Sequence, residues 1–137
     1  MDNLTWVTLP AEIGSLRSAS AFLRQGATCA GMSEEVCGKL DLIVEELVVN
    51  IALYAFPNGT PGTFDVGYSV AEPGRLFVQI CDKGGEFNPF DSDPPDFTRG
   101  LADRPVGGLG IYLVKTIGES MKYERDRDRN VISFHIR

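Results

Sequence analysis

In the run Leu40–Phe56, LDLIVEELVVNIALYAF, two polar side chains, Glu46 and Asn50, interrupt an apolar helical pattern one turn apart. At 3.6 residues per turn, Val36, Leu40, Ile43, Val44, Leu47 and Ile51 form one apolar arc. Asn50 falls at its edge and Glu46 beside Asn50, while Glu45 points the other way, toward water. An amide carbonyl suits Mg2+, which takes one or two protein oxygens and fills its shell with phosphates and waters. A carboxylate one turn away can orient or deprotonate a nucleophile aimed at a γ-phosphate. A second cluster, Asp82-Lys83-Gly84-Gly85, stops an alternating strand. A carboxylate at the end of a buried strand needs donors. The exocyclic amine of adenine is such a donor, and the glycines leave room for a flat ring. A third cluster, Gly107-Gly108-Leu109-Gly110, opens a helix. Glycines there let the backbone approach an anion, and free N–H groups with the helix dipole favour phosphate. Each cluster also has an ordinary alternative: a satisfied border Asn beside a solvated Glu, a turn-capping Asp, and a tight turn. Neither a G-x-x-x-x-G-K-[ST] loop nor a G-x-G-x-x-G after a strand is present.

The flanking pattern says which elements must hold these clusters. Leu4 to Leu9 alternates as a short strand that Pro10 ends. Glu12 to Gln25 has Ile13, Leu16, Ala19 or Ser20, and Leu23 at helical spacing, with Gly26 as its stop. Ser33 is an N-cap with Glu34 and Glu35 in the first turn, where the helix dipole favours acids. The long helix runs from there to about Phe56 and breaks at Pro57-Asn58-Gly59. Phe64, Val66, Tyr68 and Val70 alternate, Glu72-Pro73-Gly74 turns, and Leu76, Val78 and Ile80 return as a hairpin. From Asp82 to Gly108 the periodicity vanishes among Pro89, Pro94, Pro95 and Pro105, the mark of a functional loop or lid. A short helix follows, from Ile111 to about Ile117. A last hairpin, Lys122–Glu124 and Val131–Ile136, surrounds the charged turn Arg125–Asn130, with Ile132, Phe134 and Ile136 inward. Strands joined by hairpins are antiparallel, and all helices can cover one face of their sheet. The expected fold is α+β: a two-layer sandwich, mainly antiparallel, as a single domain over residues 1–137.

The totals narrow the function class. An apolar fraction of 43% supports a core, and no apolar run is long enough to span a bilayer. The N-terminus MDNLTWVTLP lacks the basic-then-apolar pattern of a secretory signal. Cys29, Cys37 and Cys81 are odd in number and widely spaced, as expected of buried thiols in a reducing cytoplasm. The lone His135 gives no basis for a His-built metal or catalytic cluster. A net charge of -6 argues against nucleic acid as the main partner and suits a protein partner or a site that recruits Mg2+.

Taken together, E-x-x-x-N on a helix, D-x-G-x-x-F-x-P at a strand end and G-G-L-G-I-x-L-V at a helix start resemble the GHKL (Bergerat-fold) ATPase and kinase superfamily. Within it, the chain is similar over its whole length to the small anti-sigma-factor serine/threonine kinases of the RsbW and SpoIIAB type. The resemblance implies ATP and Mg2+ as cofactors. It implies Glu46 as general base, Asn50 as the metal ligand, and Asp82 with Gly84 as the adenine site. It further implies Gly107, Gly108 and Gly110 on the phosphate side, and residues from about Asn88 to Val106 as an ATP lid. The implied partners are a sigma factor, held by the kinase, and a STAS-domain anti-anti-sigma factor phosphorylated on serine. The helix Glu12–Gln25, with Arg17 and Arg24 exposed, is implied at a homodimer or sigma contact; ordinary packing is its alternative. The pattern departs from the family at Tyr54 (often His), Ile51 (often Ala) and Glu86 (a glycine in D-x-G-x-G). Glu86 adds negative charge where nucleotide would lie, and Tyr54 falls within the apolar arc. These departures keep a second reading open: a catalytically inactive, nucleotide-responsive module that binds a partner. The catalytic domain of a histidine kinase shares the fold, but the chain carries no phosphoacceptor-His helix.

Overall fold

The computed structural model describes residues 3–57, 60–90 and 114–137. They form strand β1 (Thr5–Pro10), helix α1 (Leu16–Ala30) and helix α2 (Glu34–Asn50), which a wide turn over Ile51–Ala55 continues. Strands β2 (Thr63–Glu72), β3 (Arg75–Asp82), β4 (Glu119–Asp126) and β5 (Arg129–Ile136) follow, and residues 114–117 are helical. The strands make one sheet in the order β1-β2-β3-β5-β4, antiparallel at every step. This is the α+β fold expected for the GHKL class.

Alternation decides which residues face inward. The register aligns Val66 with Ile80, Ile80 with Ile132, and Val78 with Phe134, so the apolar members of three strands share one face. Ala19, Leu23 and Ala27 of α1 and Leu40, Ile43, Val44 and Leu47 of α2 close over that face in a single buried cluster. Both helices therefore lie on one side of the sheet. Truncating a fully buried leucine such as Leu40 in such a core typically costs about 2–5 kcal/mol.

Several boundaries differ from the sequence expectation, each for a local reason. Strand β1 includes Pro10, which the edge position tolerates because one side of an edge strand needs no ladder donor. Helix α1 begins at Leu16 after a tight turn over Ile13–Ser15, and it runs past Gly26 to Ala30. Gly26 does not stop it. The ring of Tyr68 lies where a Cβ would stand, so Gly26 lets the helix approach the sheet. The stop is Gly31, whose φ of 75° is the left-handed conformation that closes helices. Ser33 caps α2 as expected, its side chain accepting from the Val36 N–H at 3.2 Å.

The final hairpin is tighter than the charged run suggests. Arg125 pairs with Asn130 and Asp126 with Arg129, leaving a two-residue turn with Arg127 at φ 60°. Among the cysteines, Cys37 and Cys81 are buried but Cys29 is exposed; all are free thiols. Burial pushes the Cys81 thiol up to about 11. Among the described residues, no helix is long and apolar enough to cross a membrane.

Candidate functional site

Asn50 is the last residue of α2, and Asp82 the last inward-facing residue of β3 after Leu76, Val78 and Ile80. Both are buried, and both line one cavity under the helix end. Its walls are apolar, from Leu47, Ile51, Ala55, Phe87 and Ile132. Its polar lining comes from Asn50, Asp82 and Asn130. Apolar walls with a buried carboxylate among them suit an aromatic base with an amine on its edge.

The turn after β3 is fixed on all sides. Asp82 Oδ1 accepts from Gly84 N–H at 2.8 Å and from Asn130 Nδ2 at 3.0 Å. Gly84 O accepts from Arg125 Nη1 at 2.8 Å, and Gly85 O from Asn130 Nδ2 at 2.9 Å. Gly85 N–H donates to Ala55 O at 3.0 Å. The turn-capping role of Asp82 is thus real, yet it occupies only Oδ1. Among the described residues Oδ2 receives no hydrogen bond. Gly84 has no space for a side chain: a Cβ there would run into the Ala55 carbonyl.

Ala55 reaches this turn because α2 does not end as a regular helix. In Ile51–Ala55 the helix widens by one residue per turn, a form frequent at functional sites. On a regular helix Tyr54 would follow Leu47 and Ile51 onto the buried face. The extra residue rotates Tyr54 out, 52% exposed, and turns Ala55 in. The placement of Tyr54 on the apolar arc is therefore corrected. Its ring instead approaches that of Phe87, with centroids 6.2 Å apart.

Glu46 is half-buried and Glu45 exposed, so the helix edges are as read from the sequence. Burial, and secondarily the charge of Glu45, raises the Glu46 carboxyl above its usual value. Glu46 stands one turn back along α2 from Asn50 and is not among the residues lining the cavity. Glu86 is exposed. Gly107, Gly108 and Gly110 lie outside the described residues, as does the part of the expected lid beyond Phe90. Of the short helix expected at 111–117, Val114 is fully buried.

Sequence reasoning missed Asn130, filing it with a solvated turn. It is 3% exposed and sits directly across the ladder from Asp82. The signal was available: Asn130 continues the period-two series Ile132, Phe134, Ile136 by one step. Arg24, expected to be exposed, is half-buried. It bridges the helices, pairing with Asp41 at 2.7 Å and Glu34 at 2.8 Å.

The polar groups fit a magnesium nucleotide. The amide of Asn50 takes no hydrogen bond among the described residues, although it is buried against the cavity. No described group of three His, Cys, Asp or Glu could hold a metal unaided. A single amide oxygen matches an ion whose remaining ligands come from phosphates and water.

Comparison with known proteins agrees with this geometry. Residues 9–136 match the family described as the histidine kinase-like ATPase domain. The chain belongs to that family. This ATPase-domain chain is similar to the serine-protein kinase RsbW of Listeria monocytogenes, 27% identical over 135 residues, or 96% of this chain and 85% of the relative. It is also similar to RsbW of Bacillus velezensis, 27% identical over 85% of this chain and 74% of the relative. The serine/threonine-protein kinase BtrW of Bordetella bronchiseptica is 27% identical over 63% of this chain and 60% of its own.

Proposed function

We propose that the chain is an ATP-dependent protein serine kinase that also acts as an anti-sigma factor. The observation that carries this reading is the meeting of Asn50 and Asp82 in one cavity, each with an oxygen that takes no hydrogen bond from the described residues. Asp82 Oδ2 accepts from the adenine amine while Leu47, Ile51, Ala55 and Ile132 enclose the ring. Gly84 holds the turn in place, and Gly107, Gly108 and Gly110 serve the phosphates. Asn50 supplies its carbonyl oxygen to Mg2+. When bound, that ion neutralises charge on the phosphates. Glu46 takes the proton of the acceptor serine hydroxyl, and its raised carboxyl suits a base.

The acceptor is a serine of a STAS-domain anti-anti-sigma protein. In its unphosphorylated form that protein frees the sigma factor that the kinase holds. The setting is the cytoplasm, and nucleic acid is not contacted directly. The similarity to serine-protein kinases over most of the chain supports the activity, and the resemblance to the small anti-sigma-factor kinases supports the partners.

Transfer of labelled phosphate from Mg-ATP to a serine of a STAS-domain protein tests the reading. Glu46→Gln is expected to lower transfer by about 10²–10⁴-fold while leaving ATP binding intact. Full transfer activity in that variant would remove Glu46 as the base. A second reading, a nucleotide-responsive module without catalysis, is favoured by the position of Glu46 outside the cavity lining. ATP binding with no transfer to any acceptor would select it.

A further inference from the structure

Asn130 spends its whole amide on the nucleotide end of the cavity. Nδ2 donates to Asp82 Oδ1 and to Gly85 O. Its Oδ1 accepts from Tyr123 Oη at 2.6 Å, Arg125 Nη1 at 3.2 Å and Phe87 N–H at 3.3 Å. The orientation of the amide is dictated by these partners. Arg125 and the Phe87 N–H can only donate, whereas the Gly85 carbonyl and an ionised Asp82 can only accept.

The consequence falls on Asp82. A carboxylate oxygen has two lone pairs in its plane, and Oδ1 meets two donors, Gly84 N–H and Asn130. A base in the cavity therefore faces one acceptor, Oδ2, rather than a two-pronged carboxylate. Adenine needs only one, for its exocyclic amine. Guanine presents a ring N–H and an amine side by side, which pair with both oxygens of an unengaged carboxylate.

We infer that Asn130, braced by Tyr123 and Arg125, is a positioning residue that sets the site's preference for a 6-aminopurine over a 6-oxopurine nucleotide, by withholding one oxygen of Asp82. The inference rests on the reading of the cavity as a nucleotide site.

Calorimetric titration of the full chain with Mg-ATP and Mg-GTP tests it, beside Asn130→Ala and Asn130→Asp. The unmodified chain is expected to prefer ATP. Asn130→Ala is expected to bind ATP about tenfold more weakly, with the ATP-over-GTP ratio falling toward one as Oδ1 is released. Asn130→Asp keeps the shape but loses both donors. Its ATP-over-GTP ratio is expected to fall toward one as well. A purely structural role would lower both affinities together and leave that ratio unchanged.

An unchanged ATP-over-GTP ratio in Asn130→Ala overturns the inference. So does an unmodified chain that binds GTP as tightly as ATP, a result that needs no variant to fold. If the unmodified chain binds neither nucleotide, the nucleotide reading itself fails and this inference falls with it.

Discussion

Asp82 divides its work between its two oxygens. Oδ1 holds the turn and Oδ2 takes no hydrogen bond from the described residues, so the fold and the proposed binding site can be separated by substitution. Asp82→Asn can keep an acceptor toward Gly84 and Asn130 while removing the charge. It is expected to lose about 10–100-fold in ATP affinity, the range for a hydrogen bond to a charged group, with its circular dichroism unchanged. Glu46 carries a pH signature. Burial, then Glu45, holds its carboxyl above 4.5 in the folded chain, and unfolding returns it to the usual value. Between those two values the folded state binds more protons than the unfolded one, so stability falls as pH rises through that window. Glu46→Gln is expected to remove this slope in denaturant titrations run from pH 4.5 to 7.5. As the proposed base of phosphoryl transfer, Glu46 must be ionised to accept a proton. The acid limb of activity is therefore expected above the range of an ordinary glutamate.

The element that holds the site together is the wide turn ending α2. It brings the Ala55 carbonyl to the Gly85 N–H and leaves no space for a side chain at Gly84. The atom opposing a Cβ at Gly84 is backbone, which cannot swing aside. Gly84→Ala is therefore expected to cost about 2 kcal/mol or more in a urea titration and to weaken nucleotide binding with it. A substitution at Gly85, whose Cβ direction is open, is expected to be far milder. Helix α2 itself was legible in the sequence because Ser33, Glu34 and the apolar arc agree on one register. The wide turn was not, because a 3.6-residue wheel carries Tyr54 onto the buried face by assumption. Gly26 misled for a related reason: its meaning depends on Tyr68, a residue of β2 far along the chain. Asn130 was hidden because Arg125 to Arg129 reads as solvent-exposed charge. Only the pairing of Arg125 with Asn130 in the ladder turns that run into the edge of a site.

At the scale of the molecule, the cavity exists only when distant parts of the chain are assembled. Asn50 comes from the end of α2, Asp82 from the end of β3 and Asn130 from the start of β5, separated by up to 80 positions in sequence. Strands β3 and β5 are neighbours in the sheet although the loop, the residues helical at 114–117 and β4 intervene between them. A ligand in this cavity thus binds the folded sheet and helix layer together and has no counterpart in the unfolded chain. Linkage then converts occupancy into global stability: at a free concentration about 100 times Kd, a ligand adds about 2.7 kcal/mol. For a chain of this size that corresponds to roughly 8 °C in Tm. Mg-ATP is expected to give such a shift as one cooperative transition, whether followed at the single Trp6 on the edge strand β1 or by far-ultraviolet circular dichroism. Trp6 lies over Gly67, on the sheet face away from the helices, and has no part in the cavity lining. A nucleotide effect seen there reports the whole sheet. If Mg-ATP moved the circular dichroism transition and left the Trp6 transition in place, β1 would unfold independently of the site. If Asp82→Asn kept the full shift at the same nucleotide concentration, the ligand would not be held by the carboxylate that ends β3.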